Sequence, residues 1–293
     1  MMACFRASSL YASPGLEMGD YLKPKAANTP WPMKMNGLQK NEVHFPKLGL
    51  LSNENARICA LQQHPNAEFK LDIIEREENH LHPLVKMCGI MSAEDAILAA
   101  ESGANLIGMI LWPHSKRSIS ISTAKEISKV ARELGAKPVG VFVDDDAETI
   151  LRASDAADLE FIQLHGDGSR AAFSSLVEEN RRLIYVLHAN EDGELLNDIS
   201  DEDGGLVDWI LVDSAKGGSG KGFNWSKFRL PPIKSKQGWL LAGGIYPENV
   251  AEAIAVLGPQ GIDVSSGICG SDGLKKDKLR IEAFMNAVKS LRS

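Results

Sequence analysis

From Pro83 to the C-terminus, short apolar runs alternate with stretches of helical character in a regular order. The eight runs predicted as strands are residues 84–88, 105–111, 138–143, 161–164, 183–187, 208–212, 239–242 and 261–264. They are continuously apolar, which is typical of strands buried on both faces. Repeated strand–helix units imply right-handed crossovers and a parallel sheet.

The segments between these runs carry helix signals. Ser92 is a suitable N-cap for the first helix, and further helices are predicted near 122–134, 147–156 and 169–180. A weaker helical pattern covers 193–200, Pro247 stands in the first turn of a later helix, and an amphipathic helix closes the chain at 277–291.

Eight such units favour an α/β fold of one domain, a (β/α)8 TIM barrel over residues 84–293. An open doubly wound sheet is the main alternative. A dinucleotide-binding version of that sheet is disfavoured because no glycine fingerprint follows the first strand.

The first 83 residues differ in composition from the predicted barrel. Residues 1–53 begin with a Ser-bearing, basic and acid-poor stretch and show no clear period, which predicts an organelle transit peptide or a disordered leader. Residues 54–83 become acidic and are predicted to be a linker or a short N-terminal extension.

Charge and cysteine content exclude several classes of protein. The formal net charge is −7, and residues 1–83 are balanced, so the acidic excess lies in the predicted barrel and argues against nucleic acid as a partner. Neither a membrane-spanning apolar run nor a metal-type spacing of the four cysteines appears in the sequence, and the spacing does not suggest a disulfide framework. We therefore expect a protein of a reducing compartment, with no metal.

The C-terminal ends of the predicted strands carry reactive or Gly-rich groups. In a barrel all these ends face one mouth, where the chemistry lies. They are Cys88, Lys116 and Arg117, His165-Gly166, Asp213, Gly243-Gly244 and Ser265-Ser266-Gly267.

The sixth strand leads into an acid and then a loop with four glycines and two lysines. By alternation Asp213 points into the mouth with Leu211 and Trp209 below it, and apolar walls would raise its pKa and suit it to donate a proton. The loop, which is not a Walker A sequence, is either a phosphate cradle or a flexible surface loop. Gly-rich ends on the seventh and eighth strands match the usual phosphate position of such barrels.

Other strand-end residues have a functional and a structural interpretation. Cys88 could act as a base or be a buried core cysteine. Arg117 could bind a carboxylate or be a solvated charge, and His165 could equally be structural. Lys86 would point inward, where an unpaired charge is costly, and Asp263 on the neighbouring strand is its predicted partner.

In this order the motifs resemble those of the phosphoribosylanthranilate isomerase family, of the plant plastid-targeted type, over essentially all of 84–293. They are Lys86-Met87-Cys88-Gly89-Ile90, Val139-Gly140-Val141-Phe142-Val143, Gln163-Leu164-His165-Gly166, Asp213-Ser214 with Gly217-Gly218-Ser219-Gly220, Leu241-Ala242-Gly243-Gly244 and Asp263-Val264-Ser265-Ser266-Gly267.

The resemblance implies an Amadori rearrangement of a small phosphoribosyl substrate in tryptophan biosynthesis, without a cofactor, in a monomer or homodimer. With the leader over residues 1–53, it also implies a plastid transit peptide and a location in the plastid stroma. It implies that Asp213 is the general acid, Cys88 the general base and Arg117 the contact to the substrate carboxylate, with His165 and Lys86 in secondary roles. It assigns the phosphate to Gly243, Gly244, Ser265, Ser266 and Gly267. A loop over the substrate would consist of Gly217, Gly218, Ser219 and Gly220.

The sequence departs from the family pattern at Met91, Ser219, Asn224 and the Ile268-Cys269 stretch, none of which removes the implied acid or base. Two competing functions stay open. A related barrel, indole-3-glycerol phosphate synthase, would need a lysine as the acid at a strand end. A non-catalytic phosphosugar-binding barrel would not need Cys88 and Asp213.

Overall fold

The computed structural model describes residues 83–215 and 222–292, which form a closed parallel barrel of eight strands. The strands are β1 Leu84–Met87, β2 Leu106–Ile110, β3 Lys137–Phe142, β4 Phe161–Leu164, β5 Leu183–Ala189, β6 Trp209–Ser214, β7 Trp239–Leu241 and β8 Gly261–Val264. Each strand pairs with the next, and β8 closes the barrel on β1. The predicted barrel is confirmed, and the open sheet is excluded.

Helices cover the outside of the barrel. They are α1 Ala93–Glu101, α2 Ile121–Glu133, α3 Ala147–Ala156, α4 Asp167–Ala171, α5 Phe173–Glu178, α6 Asp201–Gly204, α7 Val250–Leu257 and α8 Lys278–Lys289. The N-cap prediction for α1 is confirmed, since the Ser92 side chain accepts a hydrogen bond from the Asp95 N–H at 3.2 Å.

Three helix predictions need correction. Residues 193–200 are not helical, because Asn190 and Asn197 side chains bond the backbone there and Leu195 forms an isolated bridge to Ala189. The helix predicted at 169–180 is two short helices, α4 and α5. Pro247 precedes α7, which begins only at Val250.

Two apolar layers hold the barrel together. The interior layer consists of Leu106, Val139, Phe161, Ile184, Val186, Trp209, Leu211, Leu240 and Ala242. A larger cluster fills the space between the strands and the helices, with Met87, Ile127, Phe142, Ile150 and Phe284 among its fully buried members. This double burial explains why the strands are continuously apolar.

Most of the predicted leader and extension, residues 1–53 and 54–83, lies outside the described residues, and so does 216–221 of the loop after β6. Within the described part of the chain, no helix has the length and apolar character needed to cross a membrane.

Candidate active site at the barrel mouth

A buried ion pair lies beneath the mouth. Lys86 on β1 and Asp263 on β8 are direct partners in the strand register, and Lys86 Nζ donates to Asp263 Oδ1 at 2.9 Å. Burial by itself lowers the pKa of Lys86, but Asp263 and the neighbouring Cys88 sulfur raise that pKa above its ordinary value. The predicted pair is confirmed, and Lys86 stays charged.

Cys88 follows β1 directly and is 6% exposed. Its N–H donates to the Val264 carbonyl at 2.8 Å, so β8 continues to hold it beyond the strand. Burial raises the pKa of the thiol, while the adjacent Lys86 ammonium opposes that rise. The side chain is therefore a buried thiol whose thiolate form has a cation beside it.

Gly108 on β2 makes room for this pair. A Cβ at Gly108 would lie 2.8 Å from Cys88 Sγ and 3.0 Å from Lys86 Nζ. Since real Cβ atoms essentially never come that close, the thiol and the ammonium depend on a glycine at this position.

Asp213 lies within β6, which runs two residues further than predicted, and its side chain is largely buried. Trp209 and Leu211 are in the interior layer below it, as alternation predicts. Burial, reinforced by the Asp263 charge, raises the pKa of Asp213 to about 7, although the Ser214 N–H donates to its Oδ1 at 2.7 Å. A carboxyl group with this pKa is suited to give up a proton near neutral pH.

His165 follows β4, with its Nε2 4.0 Å from Asp213 Oδ2. Burial lowers the pKa of His165 to about 3, so the contact joins a neutral imidazole to a carboxyl group and is not an ion pair. Gln163 Nε2 lies 3.3 Å from His165 Nδ1; with the amide as donor, Nε2 carries the imidazole hydrogen and directs it toward Asp213.

Arg117 lies against the turn after Cys88. An ideal Cβ on Gly89 would be 2.9 Å from Arg117 Cδ, and Nη1 donates to the Gly273 carbonyl at 3.1 Å. Its Nε is buried and has no hydrogen-bond partner within 83–215 and 222–292. An unpartnered guanidinium nitrogen beside Gly89 can take a planar anion.

The Gly-rich ends of β7 and β8 meet. A Cβ at Gly267 would lie 2.0 Å from the Ile245 carbonyl oxygen, so the two loops touch backbone to backbone. Gly243 and Gly244 have φ values of 82° and 66°, which favour glycine. Ser265 Oγ donates to the Cys88 carbonyl at 3.0 Å, so this serine ties the loop to β1. Ser266 begins a short 3-10 helix, Ser266–Ile268.

Gly243 also adjoins the acid. A Cβ there would lie 2.8 Å from Asp213 Oδ1 and 2.7 Å from the Ser214 nitrogen. The predicted phosphate end of β7 and the predicted proton donor on β6 are thus immediate neighbours.

Two features of the mouth were not anticipated. Lys276, 4% exposed, donates from Nζ to the carbonyls of Cys88 and Ser265 at 2.7 Å and 2.9 Å. Its sequence context, Lys275-Lys276-Asp277-Lys278, is typical of a solvated segment and contains no signal of burial. His188 on β5 packs edge-on against His165, with ring centroids 5.0 Å apart. Only the pairing of β4 with β5 brings these rings together.

The structure brings together Lys86, Cys88, Arg117, His165, Asp213 and the two Gly-rich ends. Gly217, Gly218, Ser219 and Gly220 lie outside the described residues. Among the residues described, no three His, Cys, Asp or Glu side chains are placed to hold a metal ion. With these groups the mouth can donate a proton from Asp213, accept one at Cys88 and bind an anion near Arg117.

The fold and this mouth define a (β/α)8 barrel with a buried carboxyl group and a buried thiol at its mouth and Gly-rich ends on β7 and β8. The family model described as N-(5'phosphoribosyl)anthranilate (PRA) isomerase matches residues 85–287. The chain belongs to this family.

Relatives and solved structures agree. N-(5'-phosphoribosyl)anthranilate isomerase 1, chloroplastic, of Arabidopsis thaliana is 60% identical over 256 residues, 87% of this chain and 91% of the relative. The Chlamydia caviae N-(5'-phosphoribosyl)anthranilate isomerase is 38% identical over 207 residues, 70% of this chain and 96% of the relative.

The crystal structure of the Thermotoga maritima phosphoribosyl anthranilate isomerase is similar, with 33% identity and a TM-score of 0.57 over 71% of this chain and 99% of that one. A phosphoribosyl anthranilate isomerase in complex with reduced 1-(o-carboxyphenylamino)-1-deoxyribulose 5-phosphate has 31% identity and a TM-score of 0.55, with the same coverage.

Proposed function

We propose that this chain converts N-(5-phosphoribosyl)anthranilate to 1-(2-carboxyphenylamino)-1-deoxyribulose 5-phosphate, an Amadori rearrangement of tryptophan biosynthesis. The observation that carries the proposal is the pair of groups at the mouth. Asp213 is a carboxyl group with a pKa near 7, and Cys88 is a thiol beside a permanent cation. Family membership supplies the substrate class.

In this mechanism Asp213 protonates the furanose ring oxygen and the C1–O bond breaks. The nitrogen lone pair forms the C1–N double bond of an iminium. The Cys88 thiolate then removes the C2 proton, whose acidity the iminium increases. The resulting enolamine gains a proton at C1 and loses one from the C2 hydroxyl, which gives the ketone.

The charges of the mouth favour both steps. Lys86 lies beside the Cys88 sulfur and stabilises the thiolate that must form. His165, neutral and directed at Asp213, can hydrogen-bond the carboxylate left after proton transfer without competing for its proton. These are the secondary roles that we assign to Lys86 and His165.

Anion contacts would fix the two ends of the substrate. We assign the anthranilate carboxylate to Arg117, whose buried Nε lacks a partner in the described part of the chain. We assign the phosphate to Gly243, Gly244, Ser265, Ser266 and Gly267, where the β7 and β8 ends meet. Gly217 to Gly220 would cover the sugar.

Turnover of freshly prepared substrate by the full chain tests the function. Wild type should consume it, whereas Cys88→Ala and Asp213→Asn should lose at least about 10²-fold in kcat, the effect of removing one acid or base. Asp201→Asn, on the exposed first turn of α6, is the matched control. A wild-type chain that binds substrate but turns it over no faster than both site variants would refute the isomerase function.

We also propose a plastid location, in the stroma. The support is the basic, acid-poor start of the chain and the chloroplastic Arabidopsis relative. The full chain with a C-terminal fluorescent protein should enter plastids, and the same fusion without residues 1–83 should not. Equal distribution of the two fusions would contradict the proposal.

A further inference from the structure

A second buried lysine lies behind the mouth. An ammonium has three N–H donors, and those of Lys276 have three partners: the Cys88 and Ser265 carbonyls and Cys269 Sγ at 3.5 Å. The Lys276 backbone N–H donates to Asp95 Oδ2 at 3.4 Å, which holds the residue against α1. Burying an ammonium is costly unless it is hydrogen-bonded, and this one is fully satisfied.

Two partners of Lys276 belong to two separate parts of the proposed active site, the catalytic base and the phosphate loop. The Cys88 carbonyl belongs to the residue that carries the proposed base, and the Ser265 carbonyl begins the proposed phosphate loop after β8. The Cys88 carbonyl accepts twice, from Lys276 Nζ and from Ser265 Oγ. A single ammonium therefore fixes the base and the phosphate loop relative to each other, just above the strand pair joined by Lys86 and Asp263.

No apolar side chain could replace these contacts. Two carbonyl oxygens would lose a charged donor, and one of them belongs to the residue whose sulfur has to reach the C2 proton. A shift of about 1 Å in a reacting group can cost about 10²-fold in rate.

We propose that Lys276 is a positioning residue for the isomerase reaction, one that sets the placement of the Cys88 thiol and of the β8 phosphate loop together. The proposal rests on the proposed function. Lys276 acts through Cys88 and Ser265 and does not itself touch the reacting atoms.

The ammonium also acts on the thiol through its charge. Lys276 lowers the pKa of Cys88 against the effect of burial, in the same direction as Lys86, while Asp263 raises it. Lys276 in turn faces Cys269, Arg117 and Asp95, and burial lowers its own pKa. Loss of the Lys276 charge should therefore make the Cys88 thiolate harder to form.

Lys276→Met in the full chain tests the role, because it keeps an unbranched side chain only one atom shorter and removes the donors. Lys275→Met, at the exposed neighbouring position, is the matched control. For each protein, kcat and KM are measured across pH, the inhibition constant of inorganic phosphate is determined, and circular dichroism confirms folding at the assay temperature.

We expect kcat of Lys276→Met to fall by about 10- to 100-fold. The inhibition constant of phosphate should rise, and the alkaline limb of the pH profile should move to higher pH. Lys275→Met should match wild type. An active wild type keeps the test separate from a failure of the proposed function itself.

A folded Lys276→Met protein with wild-type kcat, phosphate inhibition and pH profile, lower only in thermal stability, would overturn the proposal. If Lys276→Met does not fold, Lys276→Gln replaces it with the same two outcomes, since its shorter amide retains a donor but no charge.

Discussion

Lys86 Nζ and Asp263 Oδ1 are 2.9 Å apart inside the barrel, on residues that face each other across the β1–β8 seam. The pair joins the side chains of the two strands that close the barrel, and it also influences both proposed reacting groups. The Lys86 charge favours the Cys88 thiolate, and the Asp263 charge contributes to the raised pKa of Asp213. Stability and catalysis are thus coupled through one ion pair.

Breaking this ion pair should destabilise the fold strongly. Lys86→Met leaves the buried Asp263 carboxylate without its partner, and Asp263→Asn leaves the buried Lys86 ammonium without its counter-charge. Each variant should lower the free energy of unfolding by about 3–5 kcal/mol. The double variant Lys86→Met with Asp263→Leu should recover much of that loss. Urea denaturation provides the measurement.

The control for this experiment is Lys129→Met, which removes an exposed pair with Glu133 at 3.9 Å. It should change the free energy of unfolding by less than about 1 kcal/mol. If the free energy of unfolding of Lys86→Met or Asp263→Asn is no lower than that of Lys129→Met, the buried pair does not stabilise the barrel.

The pH dependence of kcat/KM should show a broad plateau. Activity needs protonated Asp213, whose pKa is about 7, and the Cys88 thiolate, whose pKa is raised by burial. Below pH 7 the thiolate fraction rises with pH. Between the two pKa values the gain in thiolate offsets the loss of protonated Asp213, and above the thiol pKa activity falls.

Stopped assays from pH 5 to pH 10 measure this profile. Only a small fraction of the enzyme holds both required protonation states at once, because the acid has the lower pKa. A profile already falling between pH 5 and pH 7 would contradict the assignment of Asp213 as the acid.

Asp213→Asn should stabilise the protein above neutral pH. The folded state raises the pKa of this carboxyl from 3.8 to about 7, so wild type loses stability as pH rises from about 4 to 7 and stays lower above that range. At about 1.4 kcal/mol for each unit of pKa, the effect at pH 8 is on the order of a few kcal/mol.

Thermal unfolding of both proteins at pH 4 and pH 8 checks this sign. The Tm of Asp213→Asn should exceed that of wild type by at least about 5 °C at pH 8, and the two should differ little at pH 4. An equal or lower Tm for the variant at pH 8 would mean that ionised Asp213 is not costly in the fold.

Gly108→Ala should impair both activity and stability. The added Cβ would lie 2.8 Å from Cys88 Sγ and 3.0 Å from both Cys88 Cα and Lys86 Nζ, so the thiol, its backbone and the buried ammonium would have to shift. The displaced thiol should lower kcat/KM by about 10-fold or more, and the disturbed Lys86–Asp263 pair should lower Tm.

Gly205→Ala is the matched control, because its Cβ would meet no atom closer than Glu202 O at 3.4 Å and its φ is −64°. Its kcat/KM and Tm should stay near wild type. Wild-type kcat/KM in Gly108→Ala would show that the thiol position tolerates the extra carbon.

The local sequence pattern was sufficient to predict a feature where that feature depends on a single segment of the chain. The side-chain period of a strand directs Lys86 inward and places Trp209 and Leu211 beneath Asp213. Ser92 was a readable helix start because its side chain caps the Asp95 N–H only three residues along the chain. Residues 193–200 were misassigned because a few side chain–backbone bonds, such as that from the His188 N–H to Asn197 Oδ1, outweigh a weak periodicity.

The sequence by itself determined the repeated strand–helix units, the reactive strand ends and the family pattern, because each depends on neighbours along the chain. Only the tertiary structure decided that Lys276 is buried, that its ammonium reaches the Cys88 carbonyl 188 residues away, and that Gly108 leaves room for the thiol. The physical reason is barrel closure: pairing β8 with β1 brings the two ends of the described domain together. Strand alternation was enough to predict the Lys86–Asp263 pair at this seam, but the segment that carries Lys276 has no local signal of the contacts it makes there.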